Sequence, residues 1–257
     1  MKKTLFAALI IACSDIASYA QSIRAIYEIK TYKLKTKAQE NTVDAFLKTA
    51  YLPALHRLGI KHVGVFKPLE TDTTFGKRIV LLIPYPTMDA FASLTEQLGR
   101  DKEYLTAGSA YLDAPYNNAP YERLESVVLR AFTGSPQLTL PDLHNSRSER
   151  IYELRSYEGP TEKIYQNKVQ MFNLGDEVGL FKRLGFNAVF YGEVLSGSRM
   201  PNLMYMTTFA DQASHDAHWK AFGADAQWKT LVAMPEYQHN VSKSNIYLLR
   251  PTDYSDY

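Results

Sequence analysis

Ile26-Tyr27-Glu28-Ile29-Lys30-Thr31-Tyr32 returns 125 residues later as Ile151-Tyr152-Glu153-Leu154-Arg155-Ser156-Tyr157. Both copies alternate and are rich in β-branched and aromatic side chains, so each reads as a β-strand. A repeat at this spacing also divides the chain into two structural units, provided that the order of elements after each copy agrees.

It does agree. After the first strand, Val43, Phe46, Leu47, Ala50, Tyr51, Ala54, Leu55 and Leu58 recur at helical steps and Gly59 closes the run. A hairpin follows, Ile60 to Phe66 with Arg78 to Ile83, then a helix from Met88 to Leu98 and a closing strand from Leu124 to Phe132. The second half repeats the plan: strand Arg150 to Tyr157, helix Thr161 to Leu184, hairpin Phe186 to Val194 with Asn202 to Phe209, helix Asp211 to Phe222, strand Ile246 to Arg250. Two β-α-β-β-α-β units of this kind are ferredoxin-like. Residues 21–132 and 149–257 are the expected units. The polar stretch 133–148, with Gly134, Pro136 and Pro141, reads as their linker.

Residues 1–20 read as an export leader. Lys2 and Lys3 precede the apolar run Leu5 to Ala12, and Ser18-Tyr19-Ala20 suits cleavage before Gln21. Ile10-Ile11-Ala12-Cys13 fits a lipoprotein cleavage site and ranks second. Eight apolar residues are too few for a span, which needs about 20. The expected location is therefore periplasmic or secreted, with no membrane span. Cys13 is the only cysteine, so a chain cleaved before Gln21 has neither disulfides nor thiolate ligands. The 29 basic and 27 acidic residues nearly balance, which leaves no footprint for nucleic acid.

The Tyr-Glu-Leu-Arg-x-Tyr opening of the second copy, Tyr152 to Tyr157, resembles the NIPSNAP family, as do Trp219-x-x-Phe222 and Asp225-x-x-Trp228. The first copy is a weaker match, with Lys30 in place of the arginine. The resemblance implies an α+β fold in which two tandem ferredoxin-like units pair as a dimeric-type α/β barrel. Homodimerisation is a further expectation beside this intrachain pairing. No chemistry comes with the family name, and fold alone does not supply one.

Alternation places Glu28, Lys30 and Tyr32 on one face of the first strand and Glu153, Arg155 and Tyr157 on the same face of its repeat. The more apolar set, Tyr27, Ile29, Tyr152 and Leu154, is expected to face the helices. The charged set is then expected to line the cleft between the two sheets. There it forms either a ligand site, with cations holding an anion and a glutamate as base, or ion pairs that fix sheet register. His62 is placed on the first hairpin strand, opposite Ala188 in the repeat. Asp211, His215 and His218 have the only metal-like spacing, on one face of a helix, with no fourth ligand in view. Trp219, Phe222 and Trp228 read as core or interface anchors ahead of a stack on a ligand, and the tyrosines at 85, 104, 111, 116 and 121 as cover for a sheet edge ahead of a binding surface. No phosphate loop or nucleophile elbow is present.

Two functions fit: a module that binds a small ligand or partner through the inter-sheet cleft, or a cofactor-independent oxygenase, isomerase or lyase acting on a small organic acid. Neither reading calls for a cofactor.

Overall fold

A computed structural model describes residues 23–257. The leader reading of residues 1–20 lies outside them. The first unit runs β1 (Ile26–Lys33), α1 (Lys37–Phe46), a π-helical turn (Leu47–Tyr51), α2 (Leu52–Arg57), β2 (Gly64–Pro68), β3 (Arg78–Tyr85), α3 (Met88–Arg100), α4 (Lys102–Ala107), α5 (Ser109–Leu112) and β4 (Arg123–Ala131). The second runs β5 (Ile151–Glu158), α6 (Glu162–Asn173), α7 (Glu177–Arg183), β6 (Phe190–Ser196), β7 (Asn202–Phe209), α8 (Gln212–Ala224), α9 (Ala226–Ala233) and β8 (Lys243–Pro251).

Local chemistry sets the boundaries. Thr36, Thr87, Thr161 and Asp211 each accept a hydrogen bond from a backbone N–H in the first turn of the helix that follows, satisfying a donor with no partner inside the helix. The single helix expected through Leu58 contains the π-helical turn just ahead of Pro53, whose missing N–H and bulky ring a regular turn would not accommodate. The expected helix Thr161 to Leu184 breaks at Leu174-Gly175-Asp176. A Cβ on Gly175 would lie 2.6 Å from the Met171 carbonyl oxygen, so only glycine fits there.

All strand pairs are antiparallel, and the sheet closes in the order β1-β3-β2-β8-β5-β7-β6-β4. Within each unit the outer strand from the C-terminal end lies beside the first, as a ferredoxin-like topology requires. The units join edge to edge, β2 on β8 through Phe66↔Pro251 and β4 on β6 through Arg130↔Glu193. Closure leaves no free edge, so the tyrosine-rich segment of the first half has none to cover. Its Tyr111 instead stacks on Phe46 at 3.8 Å and meets Tyr32 with Tyr121 under the helices, while Tyr116 is 98% exposed.

The face assignment is the reverse of the sequence expectation. Tyr27, Ile29, Tyr152 and Leu154 point into the barrel and pack with Phe66, Leu82, Leu129, Phe190, Met206 and Leu249 from both units. The charged set faces outward, beneath the helices. Strands facing each other across a closed barrel offer one another mostly apolar side chains, whereas helices bring tyrosine, histidine and tryptophan that can satisfy a buried charge. Both faces of β1 are covered, with Tyr27 at 0% and Glu28 at 2% exposure.

Candidate functional site

The repeated strand builds two separate polar clusters, one under the helices of each half, rather than one shared cleft. In the first, Glu28 accepts hydrogen bonds from Tyr85 (2.9 Å) and Ser126 (2.7 Å), with the Lys30 ammonium 3.5 Å away. Lys30 donates to Tyr51 at 3.2 Å, and Tyr111 donates to Tyr32 at 3.4 Å. Burial and then the negative charge of Glu28 push the Tyr51 and Tyr85 phenols well above their usual range. Both stay neutral: Tyr85 donates to Glu28, and Tyr51 accepts from Lys30.

The second cluster is more highly charged. Arg155 Nε donates to Glu153 Oε1 at 2.6 Å, Arg155 Nη1 donates to Tyr157 at 3.0 Å, and the Tyr157 and Tyr205 hydroxyls meet at 2.9 Å. The other Glu153 oxygen accepts from His215 Nε2 at 3.1 Å and from the Trp219 indole N–H. The Arg155 guanidinium also sits over the Trp219 ring, 3.6 Å from Cζ to ring centroid, a cation–π contact. Burial opposes ionisation of Glu153, but His215, Arg155 and Trp219 outweigh it and hold the carboxyl below its ordinary value. Burial likewise opposes protonation of His215, and the hydrogen bonds and charges of Glu153 and Asp216 overcome it and raise that imidazole. Beside this cluster Lys168 and Glu177 form a buried ion pair at 2.8 Å.

The two shifts set a stability window. His215 is raised above its unfolded value near 6.5, so its contribution is complete below that pH and is lost as pH rises through the folded value. Glu153 is lowered below its unfolded value near 4.5, so its contribution is complete above that pH and is lost as pH falls through the folded value. We predict that chemical denaturation from pH 4 to 9 gives greatest stability between these limits. His215→Asn should flatten the alkaline limb and, because the His215 hydrogen bond helps hold Glu153 down, make the acid limb shallower as well; an unchanged alkaline limb would contradict the pairing.

His62 does not join either cluster. It is exposed and precedes β2 in a left-handed conformation at φ 60°, since the strand starts only at Gly64. The metal reading dissolves as well. Asp211 caps α8, accepting from Ser214 N at 2.7 Å, and His218 Nδ1 donates to the Ser214 carbonyl at 2.6 Å. His215 turns the other way, toward Glu153. Among the described residues no group of three or more His, Cys, Asp or Glu side chains could hold a metal ion, and no helix is long and apolar enough to cross a membrane.

Sequence reasoning missed the mouth of the barrel, where the inter-sheet cleft opens. Inside, Ile29, Val80, Val127, Leu154, Val194 and Met204 form an apolar floor below a polar rim of Lys33, Arg78, Glu125, Arg199 and Tyr247. The cavity between them holds about 80 Å³, room for several waters. The available signal was the continuation of the alternation: positions 27, 29, 31 and 33, like 152, 154, 156 and 158, turn from apolar to polar along the strand.

Charges at the rim are mostly committed. Lys33 sits 3.6 Å from Glu125, which accepts from Ser198 at 2.8 Å. Arg199 donates to Tyr247 at 3.2 Å and lies 4.0 Å from Glu158. Arg78 is different. It stacks over the Tyr247 ring at 5.1 Å and, among the described residues, makes no ion pair or side-chain hydrogen bond.

Comparison with known proteins places this architecture. Two structures named "putative monooxygenase" share the fold. The one from Lactobacillus acidophilus NCFM matches at 9% identity and TM-score 0.57, over 89% of this chain and 94% of its own. The one from Fusobacterium nucleatum matches at 7% and 0.58, over 90% and 93%. An anthrone oxidase-like protein matches at 7% and 0.54, over 90% and 93%. At such identities the likeness is one of fold. No protein in the curated set matches the sequence. The NIPSNAP family model matches residues 152–256, the segment that holds the Glu153–Arg155–Trp219 cluster. Residues 152–256, the second of the two ferredoxin-like units, are a NIPSNAP domain.

Proposed function

We propose that this chain is a binding module for a small anionic ligand, taken up in the inter-sheet cleft at the mouth of the barrel. The observation that carries the reading is Arg78, a half-buried guanidinium at the rim of an apolar-floored cavity; it makes no ion pair among the described residues, though its charge is felt by Asp72. A guanidinium in that position offers a planar fork of N–H donors matched to a carboxylate. The two sheet–helix clusters support the site from behind rather than forming it: both Glu153 oxygens are already engaged by protein donors.

Both units contribute to the cleft within one chain, through the β2–β8 and β4–β6 seams. Homodimerisation is therefore not needed to complete the site. The leader pattern supports a module that works outside the cytoplasm. The test is calorimetric titration of the full chain with short carboxylates: Arg78→Gln should weaken binding by roughly 10- to 100-fold, the worth of a hydrogen bond to a charged group. Equal affinity in the variant would remove the anion reading.

A cofactor-independent enzyme acting on the same acid is the second reading. It needs a base at the mouth, and Glu125, held by Ser198 and Lys33, is the carboxylate placed there. Consumption of the bound acid on incubation, followed by mass spectrometry and abolished by Glu125→Gln, would select it over simple binding.

A further inference from the structure

The barrel is built from two like units, yet its mouth is not symmetric. Strand register makes Lys33↔Arg78 of the first unit equivalent to Glu158↔Asn202 of the second. At these matched positions the first unit carries two cations and the second an acid and an amide; Lys33 is paired with Glu125 and Arg199 lies near Glu158, which leaves Arg78 as the rim charge without an ion pair among the described residues. The acid is occupied, since Glu158 accepts from Asn245 at 3.0 Å and lies near Arg199. The amide is only partly so. Asn202 and Ser156, exposed by 3% and 2%, meet in the cavity wall through two hydrogen bonds, Asn202 Nδ2 donating to Ser156 Oγ at 2.9 Å and Ser156 Oγ donating to Asn202 Oδ1 at 3.1 Å. A carboxamide has two N–H donors and two acceptor lone pairs, so with one of each taken by Ser156 a single N–H and a single lone pair are left.

Resting on the anion reading above, we propose that the mouth is selective for a small carboxylate that also carries a hydroxyl at its far end. The carboxylate lies on Arg78, the body on the floor made by Ile29, Val80, Leu154 and Met204, and the hydroxyl on Asn202. Such an arrangement orients the ligand across the mouth, its charged end toward the first unit and its neutral polar end toward the second. A buried amide left facing an apolar ligand end loses a partner, which is the physical source of the discrimination.

Matched probes test this on the unaltered chain by calorimetry at pH 7: benzoate against 4-hydroxybenzoate, butyrate against 4-hydroxybutyrate, and the methyl ester of each hydroxy acid. The expected result is tighter binding of at least one hydroxy acid than its parent, by about fivefold or more, with the esters much weaker. Asn202→Leu should erase that preference while the parent acid still binds. If parent and hydroxy acid bind alike in both pairs, the hydroxyl inference is overturned and the anion reading stands. If no acid binds, or the esters bind as well as the acids, the anion reading itself fails and takes this inference with it. The comparison of probes needs no variant, so misfolding of Asn202→Leu would not blunt it.

Discussion

Glu153→Ala is expected to lower the stability of the folded chain by about 3–5 kcal/mol, the cost of breaking a buried ion pair by removing one partner. Glu153 is 1% exposed and accepts from three groups at once, Arg155, His215 and Trp219. Without it the buried Arg155 guanidinium loses its carboxylate, and the His215 and Trp219 N–H groups are left without an acceptor. The equivalent change in the first half, Glu28→Ala, should cost less, about 1–3 kcal/mol. Its closest donors there are the hydroxyls of Tyr85 and Ser126, and the Lys30 side chain, 17% exposed and 3.5 Å away, can turn to water. Urea denaturation of both variants checks the order. Equal losses would mean that the two clusters, despite different partners, are energetically alike. Glu153→Gln keeps the shape and one acceptor oxygen but sets its NH2 against an N–H donor, so its deficit combines the lost charge pairing with one donor–donor clash.

The order of elements was legible in the sequence because the repeat, the helical spacing of Val43 to Leu58 and the glycines at 59 and 185 are local signals. Both glycines adopt positive φ, 79° and 74°, as helix ends commonly demand. The direction in which the repeated strand faces was not legible. Alternation tells which side chains share a face, and it tells inside from outside only when one face meets water. In a closed barrel wrapped by helices neither face does, so Tyr27 and Glu28 are equally buried. The partners of Glu153 lie 62 and 66 residues away on α8, a separation at which no spacing rule connects them. Trp219, read from helical spacing as a core anchor, does pack on Phe181 and Phe186. Its indole N–H and its face toward Arg155 belong to the polar cluster, and only the fold shows that. His62 was misplaced for a simpler reason: its left-handed backbone delays the strand to Gly64. Asn187, at φ 43°, occurs in the same place before β6.

Lys168→Met alone should also cost about 3–5 kcal/mol, and the double variant Lys168→Met, Glu177→Leu should recover nearly all of it. Lys168 and Glu177 are paired at 2.8 Å with side chains 6% and 3% exposed. The ammonium sits over the Phe172 ring at 4.6 Å, with Trp228 and Tyr157 beyond. Such a site already has apolar walls, so two charges give up much of their hydration to meet there and their attraction roughly offsets the loss. Removing only the lysine leaves a carboxylate among aromatic rings. Removing both leaves a pocket that methionine and leucine can fill. Glu177 also opens α7, where a negative charge is favoured by the helix N-terminus, so the double variant should fall short of the wild type by a few tenths of a kcal/mol to about 1. A double-mutant cycle in urea reads the outcome directly: a coupling energy of several kcal/mol is expected. Additive losses would show instead that water reaches Lys168 and that the cluster beneath α6 and α9 is open enough to take a ligand, which would return the second unit's sheet–helix face to the list of binding sites.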